Sequence, residues 1–224
     1  RTLESVLAMA PDRIAFYGYA HLPARRANQR LIDESALPGP EARLAQAATI
    51  ARYLEEGGFE RIGIDHFAKP GDPLAAATRQ GRLRRNFQGY TDDPNDVLIG
   101  FGPSAISKLP GGFSQNASDI GHWRADVTAG RLATRRGHGL SGDDGNRARI
   151  IESLMCAFST KLDEEHHRLA DELALLRPFV RDGLVELERG HLKLTENGRP
   201  YVRLVAAVFD RFRTEAEQAF SEAV

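Results

Sequence analysis

The sequence predicts an α/β fold over residues 1–112 and a mainly helical segment carrying a β-hairpin over residues 145–224. Three observations carry this reading. Short apolar runs at residues 14–19, 61–65 and 97–101 alternate with helical stripes, as in a parallel sheet whose crossover helices cover both faces. Between about residues 110 and 145 the chain turns rich in Gly, Ser, Asn and Asp and loses periodicity, which reads as a linker segment over residues 113–144 holding short ordered pieces. Beyond it, apolar residues recur mostly at helical spacing.

Each element has a local cause. Leu3, Val6, Leu7 and Ala10 share one face of an opening helix. Pro11-Asp12 ends it, and Ile14-Ala15-Phe16-Tyr17-Gly18-Tyr19 is a buried strand. Pro40 opens a second helix with Leu44, Ala47, Ala48, Ala51 and Leu54 inward, and Gly57-Gly58 stops it. Arg61-Ile62-Gly63-Ile64-Asp65 is the second strand, Asp72-Pro73 starts a short helix, and Val97-Leu98-Ile99-Gly100-Phe101 is the third strand. Three strands do not close a barrel, so they form part of one. Asp144 caps a helix with Ile150, Ile151, Leu154, Met155 and Phe158 inward. Leu169, Leu173 and Leu176 mark the next helix. Residues 183–188 and 191–195 alternate apolar and polar about Arg189-Gly190, the pattern of a hairpin. Thr195 caps a last helix bearing Val202, Val205, Phe209 and Phe212. Helices, a two-stranded wing and another helix resemble a winged-helix module.

Composition excludes some functions. The 224 residues carry a net charge of −1, which gives no global pull toward nucleic acid or an anionic membrane. No apolar run approaches the roughly 18 residues of a spanning helix. The single cysteine, Cys156, excludes an internal disulfide and fits a reducing, cytoplasmic setting. The chain enters a helix at once at Arg1-Thr2-Leu3-Glu4 without an initiator methionine, and is read as part of something longer.

Ligands of parallel sheets gather where strands end. The first strand runs into Ala20-His21-Leu22-Pro23, the second into Asp65-His66-Phe67-Ala68-Lys69-Pro70, the third into Gly102-Pro103-Ser104-Ala105-Ile106-Ser107. With the loop Arg85-Asn86-Phe87-Gln88-Gly89-Tyr90-Thr91 these ends point to one shared pocket. His21 and His66 stand equally as structural histidines held by neighbouring backbone. Asp65-His66 invites a metal or dyad reading, but adjacent strand residues face opposite ways and zinc takes at least three protein ligands. Gly100-Phe101-Gly102 lacks the third glycine of a dinucleotide fingerprint and reads as a close backbone approach. Cys156 is a buried structural thiol. Residues 163–167, Asp-Glu-Glu-His-His, fan around a helix and form a solvated face. Arg84-Arg85 and Arg135-Arg136 are too short to track phosphates. Phe87 offers a stacking face and Gln88 an amide that donates and accepts.

Four motifs together carry a resemblance over essentially the whole chain. They are Gly18-Tyr19-Ala20-His21-Leu22-Pro23, Gly63-x-Asp65-His66-Phe67-Ala68-x-Pro70, Arg85-Asn86-Phe87-Gln88-Gly89-Tyr90-Thr91 and Gly100-x-Gly102-x-Ser104-Ala105-Ile106-Ser107. The chain resembles the C-terminal half of the oxygen-independent coproporphyrinogen III oxidase family, radical S-adenosylmethionine (SAM) enzymes of heme biosynthesis. The third motif is the most specific, because related heme chaperones carry a different His-Asn and Tyr-Trp sequence there. The resemblance implies the C-terminal part of a radical SAM (β/α) barrel followed by the winged-helix-like domain. It places Ala20 and Ile106 against SAM, and Phe87 and Gln88 at active-site positions near SAM and substrate. Coproporphyrinogen III is the implied substrate, SAM and a 4Fe-4S cluster the implied cofactors, and an electron donor of unknown identity the implied partner. Ile106, Phe67 and Phe87 suit the dry walls that a radical needs. Arg85, Lys69 and Arg26 are candidates by chemistry for the propionates.

The sequence departs from the family in one respect. The Cys-x-x-x-Cys-x-x-Cys motif that holds the family's cluster is absent, as is the glycine-rich SAM motif of the early strands, and a four-iron cluster takes three or four thiolates. The chain is therefore expected to bind no metal, to leave SAM uncleaved, to expose an open sheet edge and to be inactive alone. Two other functions compete: a porphyrin or heme carrier akin to the chaperones, and a DNA-binding winged-helix regulator.

Overall fold

The computed structural model describes residues 2–24, 26–162 and 168–212. The chain divides into two units, one comprising Arg1–Arg85, Tyr90–Asp92 and Arg149–Val224, the other Asn86–Gly89 and Asp93–Ala148.

In the first unit, helix α1 (Thr2–Ala8) and helix α2 (Pro40–Glu56) cover a small sheet. Pro40 sits in the first turn of α2, where its missing N–H costs nothing. Gly58, at φ 83, takes the left-handed conformation that ends it. Leu3 and Leu7 pack with Ile14, Phe16 and Ile50 against a core of Ala51, Leu54, Phe59 and Phe67. On α2, Ala51 and Leu54 are buried, Leu44 and Ala47 are half-buried, and Ala48 is exposed.

The sheet contains strands β1 (Arg13–Ala15), β2 (Glu60–Ile62) and β3 (His66–Ala68) in the order β1-β3-β2. Both pairings are antiparallel, which corrects the expected side-by-side parallel strands. Gly63 at φ 57 turns the chain back directly after β2. His66-Phe67-Ala68 therefore becomes a strand inserted between β1 and β2 rather than a loop beyond them. Helix α3 (Pro73–Arg79) follows, capped by Asp72, whose carboxylate accepts from the Leu74 N–H at 2.7 Å. Strands β4 (Arg84–Asn86) and β5 (Gly89–Thr91) pair as a hairpin.

Helix α5 (Gly142–Ala157) leads into strand β9 (Ser159–Lys161) and helix α6 (Ala170–Arg181). Strands β10 (Val185–Glu188) and β11 (His191–Leu194) then pair antiparallel, with Glu188 opposite His191. Arg189 and Gly190 both have positive φ, 48 and 76, the geometry of a tight hairpin turn that matches strand twist. Strand β9 adds a third strand beside β11. Helix α7 (Val202–Ala207) closes this core with Val202, Val205 and Phe209 fully buried beside Leu154, Leu176 and Leu192. Phe212, expected on the same stripe, is 48% exposed. Thr195 caps the turn before α7, its Oγ1 accepting from the Gly198 N–H and donating to Gly183 O.

In the second unit, strands β6 (Ile106–Leu109), β7 (Gly112–Asn116) and β8 (Thr134–Gly139) form an antiparallel sheet with helix α4 (Ile120–Thr128) between β7 and β8. Asp126 is buried on α4 and bridges Arg131, at 2.7 Å, and Arg135. The expected third strand at residues 97–101 is corrected. It contributes one bridge, Leu98 to Lys108, and leaves Phe101 90% exposed. Gly102 at φ 100 and Ser104 at φ 59 break the extended run. The capping role given to Asp144 is also corrected. Ser141 Oγ and N–H both donate to Asp144 Oδ2 at 2.7 Å, so Asp144 is the third-position partner in a capping box.

Candidate functional site

A buried polar cluster of the first unit surrounds Asp65, in the turn between β2 and β3. Asp65 is 7% exposed. Its Oδ1 bonds His66 Nδ1 and its Oδ2 accepts from Arg203 Nη2, both at 2.7 Å. Burial pushes this carboxyl up. The His66 bond and the charges of His66, Arg203 and Arg85 outweigh that, and hold it below the usual carboxylate range. An ionised carboxylate only accepts, so His66 Nδ1 is the donor in this bond. The expectation that Asp65 and His66 diverge fails because Asp65 lies in the turn, outside the strand alternation.

Tyr90 fixes the other side of His66. The two rings meet edge to face with centroids 5.1 Å apart. The Tyr90 hydroxyl accepts from the Ile64 N–H at 3.2 Å and donates to Met155 O at 2.9 Å. Burial raises its pKa to about 12. A Cβ on Gly63 would overlap the Tyr90 ring, so the glycine at this turn is required by both φ and contact. The Arg85 guanidinium stands over the Tyr90 ring, 5.5 Å from its centroid. Arg84 Nε and the Arg85 N–H both donate to Glu152 Oε1.

Elsewhere in the first unit, Ala20 is half-buried. Gln29 clamps its segment, Nε2 donating to Ala20 O at 3.0 Å and Oε1 accepting from the Leu22 N–H at 2.6 Å. His21 is held by side chains, Glu34 at 3.0 Å and Tyr19 Oη at 3.3 Å. Lys69 lies 3.6 Å from Asp12, and Arg26 is exposed.

Phe87, Gln88 and Ile106 all belong to the second unit. Phe87 and Gln88 form the tip of the β4–β5 hairpin, where Asn86 Oδ1 accepts from the Gln88 N–H at 2.8 Å. Phe87 is 56% exposed and meets Phe113 edge to face at 5.4 Å. Ile106 is half-buried on β6. A Cβ on Gly100 would lie 2.6 Å from Ile106 O, so this glycine does permit a close backbone approach. Asn116 Nδ2 donates to Gly102 O at 3.0 Å and the Gly100 N–H to Ser107 Oγ at 3.0 Å, fixing that loop.

Cys156 is buried. Burial, then the Glu152 charge, pushes its thiol up to about 12, against the pull of Arg85 and Arg84. No three His, Cys, Asp or Glu side chains gather as metal ligands among the described residues. The acidic-histidine run at residues 163–167 lies outside the described residues. Arg203, Gln29 and Phe113 escaped the sequence reading. Each acts through a partner distant in sequence, and a lone Arg, Gln or Phe in a helix, turn or strand carries no local mark of that role.

No family model matches the chain. A Bradyrhizobium diazoefficiens protein named oxygen-independent coproporphyrinogen III oxidase is 44% identical over 230 residues, covering 100% of this chain and 51% of that protein. A Thermostichus vulcanus protein of the same name is 38% identical over 234 residues, with 100% and 72% covered. A solved structure of coproporphyrinogen III oxidase from Escherichia coli, described as a radical SAM enzyme, aligns with a TM-score of 0.86 and 36% identity. It covers 95% of this chain and 51% of that one. The chain spans about half the length of most of the curated relatives it matches.

Proposed function

The chain belongs to the oxygen-independent coproporphyrinogen III oxidase family, and from this we propose that it supplies part of an enzyme converting coproporphyrinogen III to protoporphyrinogen IX. In that reaction a hydrogen atom leaves the β-carbon of each of two propionate side chains. Loss of carbon dioxide and one further electron leaves a vinyl group, and the electrons pass to acceptors outside this chain. Identity over the chain's whole length to relatives named for this activity is the observation that carries the reading.

The residues present do not fit a 4Fe-4S cluster. Cys156 is the one thiol in the 224 residues, it is buried, and its pKa of about 12 keeps it protonated, whereas a cluster takes three or four thiolates. No step is assigned to a cluster held by this chain. Toward SAM the chain offers the half-buried Ile106 side chain and the clamped Ala20 segment. By the family resemblance, Ala20 and Ile106 are each assigned to SAM contact. Phe87 supplies an exposed aromatic face and Gln88 an exposed amide at the hairpin tip, and both are assigned to the active site. The segment from α5 to α7 is assigned a winged-helix-like role in support of the barrel, without DNA as partner.

The test is complementation of parts. The chain alone, given coproporphyrinogen III, SAM and a reductant under anaerobic conditions, is expected to give no turnover. Joined to the N-terminal half of the Bradyrhizobium diazoefficiens relative, it is expected to yield protoporphyrin fluorescence after oxidation. Gln88→Ala or Phe87→Ala should lower that turnover at least tenfold, on the order of one lost charge-directed or stacking contact. A chimaera that folds, carries its cluster and leaves coproporphyrinogen III untouched would overturn the reading.

A further inference from the structure

Three basic residues were candidates for the substrate's carboxylates, and their surroundings separate them. Lys69 has a partner in Asp12. Arg26 is exposed, where water already solvates its charge. Arg85 differs from both. It is half-buried, and its Nε is buried without a hydrogen-bond partner in the protein. A desolvated guanidinium N–H without an acceptor is costly, and a group held in that state calls for a functional reason.

The neighbouring carboxylates do not fill that role. Asp65 spends Oδ1 on His66 and Oδ2 on Arg203. Glu152 Oε1 receives Arg84 Nε and the main-chain N–H of Arg85, not the Arg85 side chain. Among the described residues the Arg85 guanidinium therefore has a ring beneath it and no anion bonded to it. The ring is Tyr90, itself pinned by hydrogen bonds to Ile64 and Met155. A guanidinium laid on a fixed aromatic face is pre-oriented for a planar anion. Asp65 and Glu152 nearby disfavour a phosphate dianion more than a single carboxylate charge.

We propose that Arg85 is a substrate-binding residue that takes a carboxylate of the tetrapyrrole in a bidentate, charge-assisted pair. This rests on the function proposed above. It names the group on this chain that distinguishes a porphyrinogen bearing free propionates from one without them.

The test uses coproporphyrin III, the stable oxidised form with four carboxylates, and its tetramethyl ester, which has the same ring and no charge. The 224-residue chain is titrated with each by fluorescence quenching. The chain is expected to prefer the acid, and Arg85→Met to weaken acid binding about tenfold or more while leaving the ester unchanged. Arg85→Lys, which keeps the charge without the fork, should fall between the two. Circular dichroism melting confirms that the variants fold. Phe87→Ala should weaken acid and ester alike, because stacking does not read charge. The assignment is overturned if the wild-type chain binds neither porphyrin, if it binds both equally, or if Arg85→Met binds the acid as tightly as wild type. It is overturned too if the chimaera turns over with unchanged KM when Arg85 is replaced, a result that leaves the proposed function standing. Failure of the unsubstituted chimaera to turn over, with the acid-over-ester preference intact, would instead count against the function and leave a carboxylate site.

Discussion

Arg203 Nη2 donates to Asp65 Oδ2 across 2.7 Å, joining residues 138 positions apart in the chain. The contact ties helix α7 to the turn between β2 and β3, the same turn that presents His66 to Tyr90. It is a long-range bond whose loss should be felt in the stability of the first unit, since a buried carboxylate is left with one partner in place of two.

Arg203→Met should lower stability by about 1 kcal/mol, below the roughly 1.5–3 kcal/mol of a fully buried hydrogen bond to a charged group, because the Arg203 side chain is 42% exposed and water partly replaces the lost partner. Asp65→Ala should cost about 2 kcal/mol, since it removes the acceptor of both His66 and Arg203. The double variant should cost less than the sum. Urea unfolding midpoints measure all three. Strict additivity would show that the two side chains do not stabilise one another.

The same carboxylate predicts a pH dependence with a definite sign. Asp65 has a folded-state pKa below its unfolded value. Its stabilisation is therefore fully present above the ordinary carboxylate value of about 3.9. It fades as pH falls through the lower folded value, where the bonds to His66 and Arg203 lose their anion. Asp65→Asn should flatten that acid limb of the stability curve and leave the region above about pH 5 parallel to wild type. An unchanged slope in the variant between about pH 4 and 2 would refute the assignment.

Gly63 and Tyr90 form a second coupled pair. Gly63→Ala places a methyl group inside the Tyr90 ring and forces a side chain into φ 57. Backbone strain of that kind costs roughly 1–2 kcal/mol, and displacing a ring that holds Ile64 and Met155 adds about 1–3 kcal/mol. Tyr90→Ala alone loses the ring and both hydrogen bonds. Adding Gly63→Ala to it should then cost only the backbone share. Thermal melts of the four proteins give the coupling. An equal cost of Gly63→Ala in both backgrounds would show that the ring does not constrain this turn.

What could be read from the sequence follows from range. Asp72-Pro73, Pro40 and Gly57-Gly58 act on their own turn, and the helices start and stop where they indicate. Arg189-Gly190 likewise sets the β10–β11 register by itself. The insertion of β3 between β1 and β2 was hidden because it depends on a reversal at Gly63 that looks like any strand glycine. The β6–β7–β8 sheet was hidden for another reason. Strand β8 is exposed at every position, so its residues carry no apolar alternation to read. The run at 97–101 misled in the opposite direction, being apolar yet exposed at Val97, Ile99 and Phe101. In the candidate site, Phe87 and Gln88 stood out because a loop aromatic beside an amide has no core to serve. Arg203 did not, since its partner is fixed only by the packing of α7.

Cys156 offers a last test, on the interior of the first unit. Its thiol is packed with Ile62, Ala68, Leu74 and Tyr90, and burial and the Glu152 charge push it up to about 12. The thiolate is the reactive species, so at pH 8 only about one folded molecule in ten thousand carries it. An ordinary exposed thiol is ionised to roughly a quarter at that pH. Folded chain should therefore resist dithionitrobenzoate, and the rate of labelling should rise with urea in step with unfolding, reaching one thiol per chain only when the transition is complete. Prompt stoichiometric labelling of the folded protein at pH 8 would show that the core around Tyr90 opens without global unfolding, and would remove the rigid platform on which Arg85 is held.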